Sequence, residues 1–551
     1  MALALVAAAA CATYARGELI DDAFISFRYA GNLVAGHGLV FNPGERVEGY
    51  TNFLWVLLIA AMKWLGASPE VSSRLLGGMF GVATVVVVGR MLPAVPGRPL
   101  WSTLIAPALL AFNCAASLWA VHGLETALFT FLVTAGMALD IRAAGSGRAT
   151  WMPAVCFALA TLARPEGVLF FLASVAHGAV FGRRRWLSVR SAAGIAAYVA
   201  IVGTFWAWRW SYYGWPFPNT FYAKVGFTGS ALPRGLAYLG SFFLDARSIV
   251  FLLLVPAAVA AWRVRGGALA TRGTLADCTE GRQRPGRALA ATEGPGDDGA
   301  PRGGSSLGYL LWMSAVYFCG VVFEGGDAFP AFRFIVPVLP ALYVLLQEGA
   351  LAVASAARRR GAGWRWAPVL GVAFIACGLL HAQHMFSEAG KEKLGADTFT
   401  SRMRAVGLAL RGHVPPATTI ALNPAGAVPY YSGLRATDML GLVNEHIAHT
   451  APAGLGAGKA GHEKGDGAYI LGLRPDLILL GNVRVVGERP GELSQVRWAV
   501  AYRSERELAR QPDFLRLYEP DAIPLGDGRH LLFMRRRDFE IPDRLDFLAR
   551  P

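Results

Sequence analysis

The chain has 551 residues, of which 54% are hydrophobic and only 16% charged, and its mean hydropathy is +0.40. A soluble globular chain carries about 25% charge, so this composition excludes an ordinary water-soluble protein and indicates one embedded mainly in a membrane. The formal charge of +14 does not signal nucleic acid, because the basic residues bunch in short loops between apolar runs: Arg183-Arg184-Arg185, Arg263/Arg265 and Arg358-Arg359-Arg360. That is the positive-inside pattern, which orients a membrane protein.

In chain order, apolar segments fall at 2–15, 74–92, 100–118, 124–141, 151–163, 168–181, 191–210, 248–264, 307–323, 334–353 and 367–384. They predict a polytopic α-helical protein of about eleven spans. The first is brief, either because part of the helix is missing or because it is unusually short. It lacks the basic start and polar end of a cleaved signal peptide, so it reads as an anchor. Segments 151–163 and 168–181 read as a short hairpin kinked at Arg164-Pro165-Glu166-Gly167. Segment 52–66 reads as a juxtamembrane helix in the interface. A twelfth span there would invert everything downstream. Eleven spans instead put Arg90/Arg98, Arg142/Arg148, Arg183–Arg185, Arg263–Arg302 and Arg358–Arg365 all in the cytoplasm.

Residues 1–384 therefore form the membrane domain, with a first outer loop at 16–73. Residues 265–306, rich in Gly, Arg and Pro, read as a disordered cytoplasmic loop. Residues 385–551 read as a small extracytoplasmic α/β domain, large enough for its own core. Its strands include 419–422 and 476–480, and a helical pattern runs through 399–410. The six cysteines, Cys11, Cys114, Cys156, Cys278, Cys319 and Cys377, form no metal spacing or disulfide framework. They read as small core residues, apart from Cys278 in the loop.

The chemistry concentrates at the outer ends of the spans. Asp21-Asp22 follows the first apolar segment, and two adjacent carboxylates beside a bilayer are costly to keep without a role. One Asp would suffice as a helix cap. The loop continues through Asn42-Pro43-Gly44-Glu45-Arg46-Val47-Glu48-Gly49-Tyr50-Thr51-Asn52. On the same face come Trp119-Ala120-Val121-His122-Gly123-Leu124-Glu125, Arg164-Pro165-Glu166-Gly167, Pro218-Asn219 through Lys224, and Glu324-Gly325-Gly326-Asp327 through Arg333. Carboxylates can bind or deprotonate sugar hydroxyls, while Lys and Arg can hold a phosphate as it leaves. The plainer readings are helix-start charges for Glu125, a snorkelling hinge for Arg164, ordinary loop residues for Asn219 and Lys224, and a structural ion pair for Asp327 and Arg333. His122 reads as structural, and no metal is expected at His381 and His384.

These motifs resemble the GT-C class of polyprenyl-phosphate-sugar glycosyltransferases. Asp21-Asp22-Ala23-Phe24-Ile25-Ser26-Phe27-Arg28 and the 42–52 loop are closest to the AftB-like, arabinofuranosyltransferase-type branch. Pro218–Lys224, Gly325–Phe334, Gly426–Leu442 and Gly461-His462-Glu463-Lys464 are similar to the same branch. The resemblance covers nearly the whole chain except 265–306.

What it implies is sugar transfer, with a pentofuranose among the sugars in question. The donor would be a polyprenyl phosphate and the acceptor an envelope glycan or glycolipid, on the outer face of a bacterial inner membrane. By analogy Asp21 and Asp22 are catalytic. If the anomer inverts, one is the base; if it is retained, one is a nucleophile or stabilises the cation. Arg28, Glu125, Arg164, Glu166, Asn219, Lys224, Asp327 and Arg333 are expected to bind the donor, and Asp438, His462 and Glu463 the acceptor. A divalent cation such as Mg or Mn is chemically compatible with carboxylates facing a phosphate. The rival readings are a non-catalytic envelope or motility accessory on the same scaffold, and a lipid-linked sugar or ion transporter. The transporter would put charges at mid-bilayer and carry internal repeats, neither of which the sequence displays.

Overall fold

A computed structural model of the chain describes residues 1–14, 17–92, 100–146, 150–181, 189–224, 231–244, 303–327, 329, 331–359, 398–450, 461–493, 498 and 500–541. The apolar N-terminal helix α1 (Ala2–Tyr14) is followed by α2 (Asp21–Val34) and α3 (Phe53–Trp64). Helix α3 buries Trp55, Val56, Ile59 and Ala60. Helix α4 (Pro69–Val88) starts five residues earlier than hydropathy predicts. Ser68 accepts the Val71 N–H, Pro69 occupies the first turn and Glu70 meets the helix N-terminus there.

The predicted span 100–118 is not one helix. It is a 3-10 turn (Leu100–Thr103), α5 (Ile105–Ala111) and α6 (Cys114–Val121). Asn113 makes the break: its Oδ1 accepts the Ala116 N–H at 2.8 Å, and its amide donates to the Tyr343 hydroxyl at 2.8 Å. A polar side chain that caps the next helix outweighs continuous hydropathy here.

Helices α7 (Thr126–Ser146), α8 (Met152–Ala163), α9 (Gly167–Phe181) and α10 (Val189–Tyr213) follow the predicted order. In α7, Thr130 and Thr134 turn their hydroxyls onto carbonyls one turn back, at 2.7 and 2.6 Å, which satisfies them without water. Short helices α11 (Asn219–Lys224) and α12 (Ala231–Leu244) lead to α13 (Gly303–Glu324). Helix α13 takes up Gly303–Ser306 from the end of the loop predicted at 265–306. A 3-10 segment (Arg333–Val338) then runs into α14 (Leu339–Arg359). Asp140 on α7 accepts both the Ser174 hydroxyl of α9 and the Tyr309 hydroxyl of α13, so this buried carboxylate ties three helices together.

Among the described residues five helices are long and apolar enough to cross a membrane: 69–88, 126–146, 189–213, 306–324 and 333–351. The expected spans 248–264 and 367–384, the loop 265–302, Cys278 and Cys377 lie outside the described residues. Cys11 and Cys114 are buried as expected, whereas Cys319 is exposed on α13.

The C-terminal region is α/β. Its elements are α15 (Thr398–His413), β1 (Thr419–Leu422), α16 (Ala427–Ser432), β2 (Arg435–Asp438), α17 (Glu445–His449), α18 (Gly467–Leu473), β3 (Leu477–Ile478), β4 (Val485–Val486), α19 (Arg503–Arg510), β5 (Tyr518–Pro524) and β6 (His530–Arg536). The sheet order is β2-β1-β3-β6-β4, with β5 also on β6. β1 is parallel to β2 and β3, and β6 is antiparallel to its neighbours.

Strand period 2 splits the sheet between two cores. Ile420, Leu422, Leu477, Leu531 and Phe533 join the apolar cluster that continues through the membrane helices. Ala421, Ile478 and Met534 face a smaller cluster with Met439, Ile447, Ile470 and Leu508. One face of the sheet thus shares its core with the helices, which fixes its position over α2.

Candidate active site

The site is built around the first turn of α2. The Ile20 N–H donates to the His122 carbonyl at 3.1 Å. Gly123 has φ +95°, and a Cβ there would lie 2.8 Å from the Ala23 Cβ. Only glycine combines that backbone with so close an approach, so the 122–125 loop lies directly against the start of α2.

The two adjacent aspartates have different surroundings. Asp21 is 8% exposed, and its carboxylate accepts the N–H groups of Gly426 (3.2 Å) and Ala427 (2.8 Å) at the start of α16. Asp22, rotated by about 100° around the helix, is half-buried and has no side-chain hydrogen bond among the described residues. Arg28 continues the docking of α2 on the C-terminal region. It donates to the carbonyls of Phe41 (2.7 Å), Leu434 (2.7 Å) and Pro429, and to Asn42 Oδ1 (3.1 Å). Burial lowers its guanidinium to about 10, which still leaves it charged at neutral pH.

A buried polar cluster begins at Ser26, one turn along α2 from Asp22. Ser26 exchanges a hydrogen bond with Asn52, whose amide donates to Glu125 Oε2 at 2.9 Å. Arg164 bridges Glu125 Oε1 (3.0 Å) and Glu166 Oε1 (2.5 Å). Arg333 pairs through Nε with Asp327 at 2.7 Å. The Phe334 ring lies 4.9 Å from the Arg164 guanidinium and 5.2 Å from that of Arg333, so it joins the two ion pairs. Glu125, Arg164, Glu166, Asp327 and Arg333, expected from separate loops, are therefore one group.

This group is not closed on itself. Arg164 Nε, Glu166 Oε2 and the indole Nε1 of Trp119 are buried without a hydrogen-bond partner among the described residues. Trp119 is 1% exposed and packs against the Arg333 guanidinium, 5.6 Å from its ring. Buried polar atoms of this kind are costly unless something completes them.

The other expected site residues lie elsewhere. The Asn219 amide donates to the carbonyls of Gly441 (2.8 Å), Leu442 (3.0 Å) and Asn444 (3.3 Å), and its N–H donates to the Glu48 carbonyl. Lys224 ends α11 beside Gly461, with its Cγ 3.4 Å from a Cβ built there. It thus accompanies the 461–464 segment and not the Arg164 group. Asp438 is buried, and its carboxylate accepts the N–H groups of Leu440 (2.8 Å) and Val443 (3.0 Å). Burial pushes its pKa up to about 6 against those bonds. His462 stacks on Tyr502 at 5.9 Å, and the Glu463 carbonyl accepts Arg503 Nε at 3.1 Å.

Sequence reasoning did not single out Asn52, Trp119 or Glu48, although all three stand inside the quoted motifs. Glu48 lies 3.6 Å from Arg209 Nε with no hydrogen bond between them, and burial pushes its carboxyl up to about 8. A tryptophan in an apolar run gives no sign that its N–H will lack an acceptor. Among the described residues, no three His, Cys, Asp or Glu side chains are grouped to hold a metal ion.

A family described as a domain of unknown function, DUF8728, matches residues 396–528. Among characterised proteins, the chain is 28% identical over 258 residues to the terminal beta-(1->2)-arabinofuranosyltransferase of Mycobacterium tuberculosis, covering 42% of this chain and 38% of that protein. It is 25% identical over 369 residues to the enzyme of the same name from Corynebacterium glutamicum, covering 59% and 48%. The chain thus spans less than half the length of these relatives. Two crystal structures of ArnT from Cupriavidus metallidurans share the fold. The undecaprenyl-phosphate-bound form has a TM-score of 0.53 at 13% identity, covering 98% of each chain. The apo form has 0.57 at 14% identity, covering 99% of this chain and 98% of that one. The fold is therefore that of the GT-C glycosyltransferases, and within it the chain is similar in sequence to the AftB-like arabinofuranosyltransferase branch.

Proposed function

We propose that the protein is a membrane glycosyltransferase that moves a sugar, a pentofuranose by the likeness to the arabinofuranosyltransferases above, from a polyprenyl phosphate to an envelope glycan or glycolipid. The reaction takes place at the outer face of the bacterial inner membrane, with residues 385–551 extracytoplasmic. The carrying observation is the unsatisfied polar group of Arg164, Glu166 and Trp119, buried at the ends of apolar helices and linked through Glu125 and Asn52 to Ser26, one turn from Asp22. A phosphate accepts from Trp119 Nε1 and Arg164 Nε, and a sugar hydroxyl donates to Glu166 Oε2. The likeness to a protein crystallised with undecaprenyl phosphate supports the same donor class.

In this reading Arg333 holds the phosphate with its Nη groups while Asp327 fixes its Nε. Glu125, braced by Asn52 and Arg164, keeps Arg164 oriented. Asp22 is the reacting carboxylate. The acceptor oxygen forms a bond to the anomeric carbon, the bond from that carbon to the phosphate oxygen breaks, and the polyprenyl phosphate leaves with the electron pair. With inversion Asp22 takes the acceptor's proton; with retention it first bonds to the sugar, releasing the phosphate, and is then displaced by the acceptor, whose proton passes to the released phosphate. The phosphate is a good leaving group, so no strong acid is required.

In this reading the positive charges facing the phosphate are those of Arg164 and Arg333, which pair with Glu125, Glu166 and Asp327, and the reaction is written without a divalent cation.

The test is turnover by the purified protein in nanodiscs with a panel of radiolabelled polyprenyl-phosphate pentoses and hexoses. Release of polyprenyl phosphate from one donor is expected. A folded protein that binds undecaprenyl phosphate but turns over none of the panel would overturn the reading in favour of an accessory role.

A further inference from the structure

Residues 214–222, which follow the long span α10, meet α17 in a layer of stacked rings unrelated to the Asp22 cluster. Trp215 lies on His449 with centroids 3.9 Å apart and planes at 30°, and Tyr222 lies on His449 at 4.1 Å and 34°. Trp215 Nε1 donates to Glu445 Oε1 at 3.0 Å, which fixes the indole across 230 positions of sequence. Next to them His446 stacks on Tyr469 at 3.9 Å and bonds to Asp466 Oδ2 at 2.9 Å. Despite this ordering, Trp215 is 37% exposed and Phe217 48% exposed. The buried His449 Nε2 has no partner among the described residues.

We infer that this layer is an acceptor subsite for a neutral oligosaccharide, at a distance from the bond being made. The inference rests on the glycosyltransferase reading and names where the acceptor chain is held. Three features support it. Rings locked in place present faces to the C–H side of a sugar at little entropic cost. The Glu445, Asp466, His446 and His449 groups at their edges match hydroxyls. Acidic groups (Glu445, Asp466) face the exposed Lys224 alone, because Lys464 is buried with its ammonium on the Ala448 carbonyl, so the surface favours a neutral ligand over a polyanion.

The position indicates an extended acceptor. From Asp22 to Tyr29 is seven residues, about 10 Å along α2. The Tyr29 hydroxyl accepts the Gly49 N–H at 2.8 Å, and the neighbouring Glu48 carbonyl accepts the Asn219 N–H at 3.0 Å. Trp215 and Tyr222 flank Asn219 in the chain, so the ring layer is reached from Asp22 only through these intervening contacts, and a sugar held on it belongs to the same acceptor chain but not to the reacting unit.

Trp206 and Trp210 on α10, 39% and 47% exposed, have the surroundings of an interfacial aromatic belt. Trp215 differs from them in being bonded to the sheet region.

Binding of a monomeric arabinofuranoside and of linear arabino-oligosaccharides of two to six units is measured by saturation-transfer NMR on the full-length protein in nanodiscs, without donor. The experiment therefore reads out even if no donor is ever turned over. Wild type is expected to bind the longer chains at least tenfold more tightly than the monomer. Trp215→Ala removes that gain, and Trp215→Phe, which keeps a ring face, restores most of it and guards against misfolding of the alanine variant. His449→Ala weakens the longer chains in the same direction. Equal affinity for all lengths in the wild type, or unchanged length dependence in Trp215→Ala, overturns the proposal. A Trp215→Ala protein that changes only its depth or partitioning in the bilayer assigns the residue to membrane anchoring instead.

Discussion

The Asp21 carboxylate accepts the Ala427 N–H at 2.8 Å across 406 positions of sequence. Together with the Gly426 N–H, this bond seals the start of α16 onto the first turn of α2. Of the two adjacent aspartates, Asp21 therefore joins the C-terminal region to the membrane helices, and Asp22 is the one left with a carboxylate open to chemistry.

Asp21→Ala is expected to cost about 2–4 kcal/mol, because it removes a charged acceptor and leaves two backbone N–H groups unmatched. A Cβ at Gly426 would lie 2.0 Å from the Asp21 backbone oxygen and 2.5 Å from its carboxylate, so Gly426→Ala also destabilises. Asp21→Ala removes only the carboxylate part of that clash, so in its background the glycine substitution costs less but remains destabilising. Thermal unfolding in detergent of the two single variants and the double variant checks this. Additive losses would mean that the carboxylate takes no part in the clash.

Glu48 makes stability depend on pH. Its carboxyl is raised from 4.5 to about 8 by burial, against the pull of Arg209. Between those values the folded protein keeps a proton that the unfolded chain has released, so stability falls as pH rises through that window. Glu48→Gln keeps the neutral form at every pH and should flatten this part of the curve, gaining on the order of 1 kcal/mol or more at pH 8. Unfolding midpoints of both proteins from pH 5 to 9 decide it; parallel curves would contradict the argument.

Trp119→Phe deletes one buried N–H and opens a small cavity where the indole was, so some stability is lost in either case. If the N–H binds the donor phosphate, affinity for undecaprenyl phosphate falls about tenfold, or about 1.4 kcal/mol. If it binds nothing, only the unfolding midpoint falls and the affinity is unchanged. Tritiated-lipid binding in nanodiscs, read beside the unfolding midpoint, separates the two cases.

Much of this was legible in the chain. The apolar runs located most of the helices around the site, and Arg164, Glu166, Asp327 and Arg333, expected on one face, come together in one group. Hydropathy could not place the break at Asn113, because one polar residue in an apolar run reads the same whether it faces lipid, caps a helix or meets Tyr343. Nor could the sequence divide the aspartate pair, since the groups that bind Asp21 are backbone N–H groups of a distant segment and carry no residue code. Lys224 is expected at the phosphate from its charge and its place in the aromatic, proline-rich Pro218–Lys224 motif; its position beside Gly461 depends on how the α/β region docks. The core shared by the sheet and the helices was likewise hidden, because period-2 alternation in β1 reveals two faces without naming what covers each.

The most direct measurement is single-turnover sugar transfer by the wild type, Asp21→Asn and Asp22→Asn in nanodiscs, with donor binding and unfolding midpoint determined on the same samples. The account predicts that Asp22→Asn keeps its fold and donor affinity but loses at least about a thousandfold in rate. Asp21→Asn should lose stability first, with activity following it. Transfer at near wild-type rate by a folded Asp22→Asn protein would contradict the assignment of Asp22 as the reacting carboxylate.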